Sequence, residues 1–403
     1  MSRLKIILIF TQILVGYTSV FSIYSYLPFL KAIAEYFLVT PSQVQFLLSA
    51  FFFGIAVPRL FYGIFAEKIG ISKTLLFGLL LFLLGGIITA VTTDYFVFFV
   101  GRFLQGFGMS AAGVLGIPIL LQAFSTNVIA QQRVISIQMS ITSIGPVFSI
   151  LFASLFAIEH WRNMIWVTNY MIIVSIFLYA IILPQLKLNT SLKKESFKSL
   201  FNQFLLMMGN TGFIVYVLTA SLAYASIIML VGWLPFIKIE IANAFLSMTN
   251  LYYLITLFLV LGGLFNAIYG VKISHFEYLL TITISVILLL SVYLIFHQLI
   301  NHIAIVGILV LSTLCAYVGI IMPLCVTSAL QIFSNQYYLA SSLYSFIMNL
   351  SVSILTFILS YITAKTLYSE IVIFFLLMLI NLIAIIYFGF SKANEKITYL
   401  KEI

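Results

Sequence analysis

Twelve apolar runs of about 20 residues recur along this chain, at 6–28, 43–66, 73–92, 95–120, 133–157, 164–184, 207–236, 246–269, 276–296, 302–328, 338–361 and 369–391. As a helix, each is long enough to cross a hydrocarbon core of about 30 Å. A helix satisfies its own backbone groups, which bare lipid demands. Of 403 residues, 63% are hydrophobic and 7% charged, against roughly a quarter charged in a soluble domain. No aqueous fold hides that much apolar surface. The expected fold is an all-α membrane protein of twelve transmembrane helices, arranged as a six-helix half (1–184), a linker (185–206), a second six-helix half (207–391) and a tail (392–403).

The net charge of +9 would suggest nucleic acid in a soluble protein, but here the placement of the charges decides. With the N-terminus inside, thirteen basic residues fall on the cytoplasmic side, including Arg3, Lys5, Lys68, Lys73, Arg133 and Lys187; only Lys31, Arg162, Lys238 and Lys365 fall outside. That positive-inside bias puts both termini and the linker in the cytoplasm and excludes a nucleic-acid footprint. The first run is long for a signal-peptide core and lacks a small-residue cleavage pattern, so it is expected to be retained. Cys315 and Cys325 fall ten residues apart in one run, about 15 Å along a helix. They cannot bridge each other and read as packing residues.

Between the second and third runs lies a short charged hairpin, Gly63-Ile64-Phe65-Ala66-Glu67-Lys68-Ile69-Gly70-Ile71-Ser72-Lys73. It resembles the loop between helices two and three of the major facilitator superfamily, with Glu67 where that family usually has Asp and Gly70-Ile71-Ser72-Lys73 where it has Gly-Arg-Lys. The resemblance implies a latch on a rocking motion, with Gly63, Glu67, Lys68, Gly70 and Lys73 as its parts. Span four begins Gly101-Arg102-Phe103-Leu104-Gln105-Gly106, similar to the family's fourth-helix pattern. Arg102 lies about two turns below the outer surface. An arginine facing lipid there costs at least about 2.5–3.5 kcal/mol, so it should face protein or water. Gln105 shares its helical face by spacing. Gly108, Ala112 and Gly116 form a small-residue seam for close helix packing.

Three further features resemble the bicyclomycin-resistance branch of drug:proton antiporters or the superfamily at large. Tyr26-Leu27-Pro28 matches a triplet of that branch, with Tyr24 where the branch commonly has Asp; the plain alternative is an interfacial tyrosine belt. Gly145-Pro146 resembles the core of the fifth-helix antiporter motif, with Ser149 and Ile150 replacing its paired glycines, and would bend span five. Trp161-Arg162 resembles the superfamily's external Trp-Arg. Arg59, beside Pro58, either lines a cavity or snorkels. In span eleven, Ser342, Ser345, Asn349, Ser353, Thr356 and Ser360 form one polar stripe. It either packs on span two or lines a cavity.

Every Asp and Glu falls outside the apolar runs or at their very ends, Glu277 and Glu370 being the second residues of theirs, and the four histidines fall in or beside loops. Proton relays usually use buried carboxylates or histidines, so protons are named as a coupling ion by resemblance alone. A cationic drug wants a counter-charge, and the chain offers arginine instead. That favours export of an anionic metabolite or siderophore, with Arg102, Gln105, Tyr24 and Arg59 as substrate contacts. The alternatives are a proton-coupled efflux antiporter for neutral or cationic drugs and a receptor of the same fold that binds without transporting. No nucleophile with its base and no metal-ligand cluster is visible, so neither an enzyme nor a cofactor is expected. The resemblance implies a monomer in a bacterial-type inner membrane, with a small-molecule substrate and the lipid bilayer as its partners.

Overall fold

The computed structural model describes residues 3–124, 134, 138, 145–146, 148–153, 161–186, 197–236, 248–269, 275–300, 304–333, 337–361 and 367–401. Among the described residues fourteen α-helices run in chain order: α1 (Arg3–Tyr24), α2 (Leu30–Phe37), α3 (Pro41–Ala56), α4 (Arg59–Ile69), α5 (Ile71–Val91), α6 (Tyr95–Ala123), α7 (Arg162–Ile182), α8 (Phe197–Met208), α9 (Thr211–Trp233), α10 (Met248–Tyr269), α11 (His275–Ile300), α12 (Ala304–Ile332), α13 (Tyr337–Ser360) and α14 (Leu367–Lys401). Among the described residues there is no strand, and nine helical stretches are long and apolar enough to cross a membrane. Most of the fifth run, the linker residues 187–196 and the basic residues Arg133, Lys187, Lys238 and Lys365 lie outside the described residues.

Helix boundaries follow local chemistry. Thr40 and Gln43 form a capping box at the start of α3, with Pro41 at its first position, which satisfies amides that would otherwise be orphaned. The Asp94 carboxylate accepts from Val97 N at 2.8 Å and caps α6. Two runs differ from the sequence expectation. The second is broken at Pro58, which has no amide to donate back along the helix, so it forms α3 and α4 instead of one rod. The seventh starts at Thr211, because the Asn210 side chain accepts from Phe213 N at 2.9 Å and caps α9 there. The preceding residues form the separate helix α8, which reaches back into the expected linker, and α14 continues past the last apolar run into the expected tail.

The chain divides into two compact units, Met1–Ser199 with Thr356–Tyr361, and Leu200–Leu355 with Ile362–Ile403. In unit 1, α6 packs on α5 and α3, and α7 packs on α1 and α5. In unit 2, α12 packs on α10 and α9, and α14 packs on α9 and α11. Each unit is pinned at a backbone crossing. A Cβ on Gly54 would strike the Phe103 carbonyl, and one on Gly106 the Phe51 carbonyl. In unit 2 a Cβ on Gly262 would strike the Ala316 carbonyl, and one on Gly319 the Leu259 carbonyl. Such approaches are how helices associate where lipid offers no hydrophobic driving force.

The internal repeat also survives as residue identity at one place. Tyr26-Leu27-Pro28-Phe29-Leu30-Lys31 is echoed by Trp233-Leu234-Pro235-Phe236-Ile237-Lys238. Both Leu-Pro-Phe triplets form a 3-10 turn after a long helix, one of them two residues beyond α1 and the other directly after α9, and Tyr26 and Trp233 are both buried.

Candidate functional site

Asp94 fixes where α6 begins, and eight residues later the helix carries Arg102 into the interior of unit 1, where it is 3% exposed. Its Nη1 donates to the Ser22 carbonyl at 3.2 Å and to Gln105 Oε1 at 2.8 Å. The guanidinium carbon lies 4.3 Å from the centre of the Tyr26 ring and 4.5 Å from that of Phe51. Tyr26 reaches this position because α1 stops at Tyr24 and the chain turns through Leu27–Phe29. Aromatic faces attract a desolvated cation by about 2 kcal/mol but carry no opposite charge. Among the described residues no carboxylate meets Arg102; the Tyr26 hydroxyl lies within electrostatic reach of the guanidinium, but neither it nor Nε and Nη2 is placed at hydrogen-bonding geometry to a partner.

Beside these groups lies a small cavity lined chiefly by Ser22, Ser25, Tyr26, Arg102, Gln105 and Thr168, with room for about one water molecule. The Ser22 hydroxyl already donates to Ser19 O and the Thr168 hydroxyl to Met164 O, each at 2.8 Å. On the far side of Gln105, Asn169 of α7 presses on Gly86 of α5, where a Cβ would overlap its Oδ1.

Arg102 and Gln105 therefore sit together, as their spacing requires. Tyr24 is buried but does not line this cavity; Tyr26 does. Arg59 lies elsewhere. It opens α4 after the Pro58 break, half-buried against Gly113, where a Cβ would be 3.0 Å from its Nη2. Gly113 is eleven residues beyond Arg102 on α6, about 16 Å along the axis, so the two arginines do not converge. Arg162 has a closed environment: Nε donates to Ala90 O at 3.0 Å and Nη2 to Thr92 O at 2.8 Å, with Tyr36 and Trp161 against its face. It caps the carbonyl end of α5, where a cation is favoured.

In the hairpin, Gly70 ends α4 and directly precedes α5 with φ 95° and ψ 145°, a conformation that strains any residue with a Cβ. Gly70 N donates to Ala66 O at 3.0 Å, and Thr74 Oγ1 donates to Gly70 O at 2.9 Å. Lys68 and Lys73 are exposed. The side-chain surroundings of Gly63 and Glu67 lie outside the described residues. Gly145 is buried against Val20 of α1, Pro146 beside it is half-buried, and the Ser149 hydroxyl donates to Gly145 O at 2.7 Å. The small-residue seam of α6 serves two neighbours: Gly108 meets Gly78 and Phe82 of α5, and Gly116 meets Gln12 of α1. The Thr356 hydroxyl of the polar stripe lies 2.9 Å from that of Ser49, inside unit 1. Cys315 and Cys325 are buried free thiols.

Unit 2 holds a different kind of polar cluster. Thr219 Oγ1 donates to Asn381 Oδ1 at 2.8 Å, Asn381 Nδ2 donates to the Tyr317 hydroxyl at 3.0 Å, and the Thr283 hydroxyl is 3.2 Å from that of Tyr317. Four helices, α9, α14, α12 and α11, are tied at one depth by neutral groups. In unit 1 the Tyr179 hydroxyl donates to Gln12 Oε1, joining α7 to α1. Among the described residues no group of three or more His, Cys, Asp or Glu side chains could hold a metal ion.

A profile of the Major Facilitator Superfamily matches residues 13–318. The chain belongs to that superfamily. This major facilitator protein is therefore a multi-pass membrane protein, as its helix lengths require. Its backbone superimposes on the E. coli xylose transporter XylE in a partially occluded inward-open conformation with a TM-score of 0.71 and 12% identity, over 95% of this chain and 97% of that one. It superimposes on an auto-inhibited POT family peptide transporter with the same TM-score and identity, over 96% of each chain. At that identity the likeness is one of fold. Multidrug resistance protein MdtL of Escherichia coli O17:K52:H18 is 25% identical over 221 residues, and so is MdtL of Shigella dysenteriae serotype 1. The match covers 54% of this chain and 54% of each relative, so the chain spans about half the length of the curated relatives it matches.

Tyr26, Phe51 and Asn169 are the site residues that helical spacing misses. The repeated aromatic-Leu-Pro-Phe sequence was a signal for the first of them. Phe51 and Asn169 stand in apolar runs with nothing at fixed offsets to mark them.

Proposed function

We propose that this chain is a secondary transporter that exports small apolar or weakly charged solutes by alternating access, with both termini on the cytoplasmic side of an inner membrane. The choice of solute rests on the enclosure of Arg102. One of its nitrogens is committed to Ser22 and Gln105, two aromatic rings cover it, and the space beside it is that of about one water. A polycarboxylate or siderophore needs far more room than that. Ligand sites for drug-sized molecules are mostly apolar and aromatic, with few polar groups, which the phenylalanine- and tyrosine-rich interior can supply. The MdtL relatives, multidrug resistance proteins by name, point the same way.

In this reading Arg102 and Gln105 organise the interior of unit 1, and Tyr24 and Arg59 contact solute only at its margins. Gly145-Pro146 bends span five, and the hairpin from Gly63 through Glu67, Lys68 and Gly70 to Lys73 latches one of the two access states. Protons are the proposed coupling ion. The second reading, export of an anionic metabolite, is favoured by the two unpartnered nitrogens of Arg102. Flux in reconstituted vesicles under an imposed pH gradient separates the two. Movement of neutral or cationic dyes, with polycarboxylates excluded, is the expected result. Polycarboxylate flux that vanishes in Arg102→Ala would replace the first reading by the second, and binding without flux of any solute would leave the receptor class.

A further inference from the structure

We infer that unit 1 binds a monatomic anion, chloride in ordinary media, in the cavity between Arg102 and Tyr26. Three observations converge on it. The guanidinium is buried, and among the described residues it has no carboxylate partner. Arginine cannot relieve this by losing its proton, as a buried lysine can. Aromatic faces and neutral acceptors lower the cost of the charge without cancelling it. A water molecule could use the spare hydrogen-bonding capacity but would also leave the charge standing.

The donors and the space fit the same ligand. Nε and Nη2 of Arg102 and the Tyr26 hydroxyl are buried, unpartnered and able to donate, and both residues line the cavity. The Ser22 and Thr168 hydroxyls have already spent their protons on backbone carbonyls, so Arg102 and Tyr26, with Ser25 and Gln105 beside them on the cavity wall, hold the donors that face it. The volume, about one water, is far too small for a multi-atom carboxylate or phosphate, so a monatomic ion is the anion that asks the least expansion of it. Bound there, the anion supplies the missing counter-charge, in an interior where charges interact strongly. The inference does not depend on export of apolar or weakly charged solutes, whereas an anion held here takes up the nitrogens on which the second reading above rests.

The test is thermal unfolding of the purified full chain while sodium chloride replaces sodium gluconate at constant ionic strength. Binding to the folded state alone raises Tm with ligand concentration. A saturable rise of a few degrees is expected, matched by bromide, lost in Arg102→Gln and weakened in Tyr26→Phe, which keeps the ring over the guanidinium. Anomalous diffraction from bromide-grown crystals should place one peak between the two residues. An identical Tm in gluconate and chloride, a chloride effect that survives in Arg102→Gln, or bromide peaks only elsewhere would overturn the inference and leave water as the occupant. Should Arg102→Gln fail to fold, Tyr26→Phe and the bromide peak decide. None of these readouts involves solute flux, so failure here leaves the transport reading untouched.

Discussion

The buried polar cluster of unit 2 is closed, and that of unit 1 is open. In unit 2, Thr219, Asn381, Tyr317 and Thr283 join four helices through mutual hydrogen bonds among neutral groups. In unit 1, Arg102 brings a full charge inward, satisfies one nitrogen, and leaves two others and a tyrosine hydroxyl without partners. Neutral groups that complete one another act as fasteners, since separating them exposes polar atoms to hydrocarbon. A charge held with spare donors stabilises little by itself. The contrast separates what holds this fold together from what the fold holds ready for a ligand.

The largest expected effect tests whether the two units share one construction beneath that contrast. Gly106→Val and Gly319→Val each force a side chain into a facing carbonyl, costing about 3 kcal/mol. Both variants should lose monodisperse protein in size-exclusion chromatography. Survival of only one would break the repeat. Next is the closed cluster: Asn381→Leu orphans groups on α9 and α12 and should lower stability by about 1–2 kcal/mol, read as a lower Tm. Replacing Thr219, Asn381, Tyr317 and Thr283 together with apolar residues of similar shape should recover most of that loss. Gly70→Ala, in the joint rather than either cluster, should cost about 1 kcal/mol because its φ is 95°. The smallest effect belongs to the open cluster. In chloride-free buffer Arg102→Gln should leave Tm unchanged or raise it slightly, because a charge without its counter-ion is removed. A fall as large as that of Asn381→Leu would show that Arg102 is also a fastener.

How legible each part was in the sequence follows from the kind of signal it leaves. Helices were legible because lipid demands continuous apolar stretches, and eleven of the twelve expected runs meet described helices. Arg102 and Gln105 were legible because three residues on a helix put both side chains on one face. That Tyr26 and not Tyr24 lines the cavity beside Arg102 was not legible, because helical spacing stops being a guide where α1 ends at Tyr24. Arg59 and Arg102 could not be assigned to separate places, since the break at Pro58 and the packing of α4 on α6 are tertiary facts. Thr219, Thr283, Tyr317 and Asn381 left no trace at all. They are scattered over four helices, and only packing makes them neighbours.

Gly70 is the sole residue between α4 and α5. Such a linkage has no slack. Two dihedral angles carry all the relative motion of an 11-residue rod and a 21-residue rod, so tilt in one is delivered to the other as torque. Any change in the angle between α4 and α5 therefore has to be taken up at Gly70, with the exposed charges of Lys68 and Lys73 on either side of it.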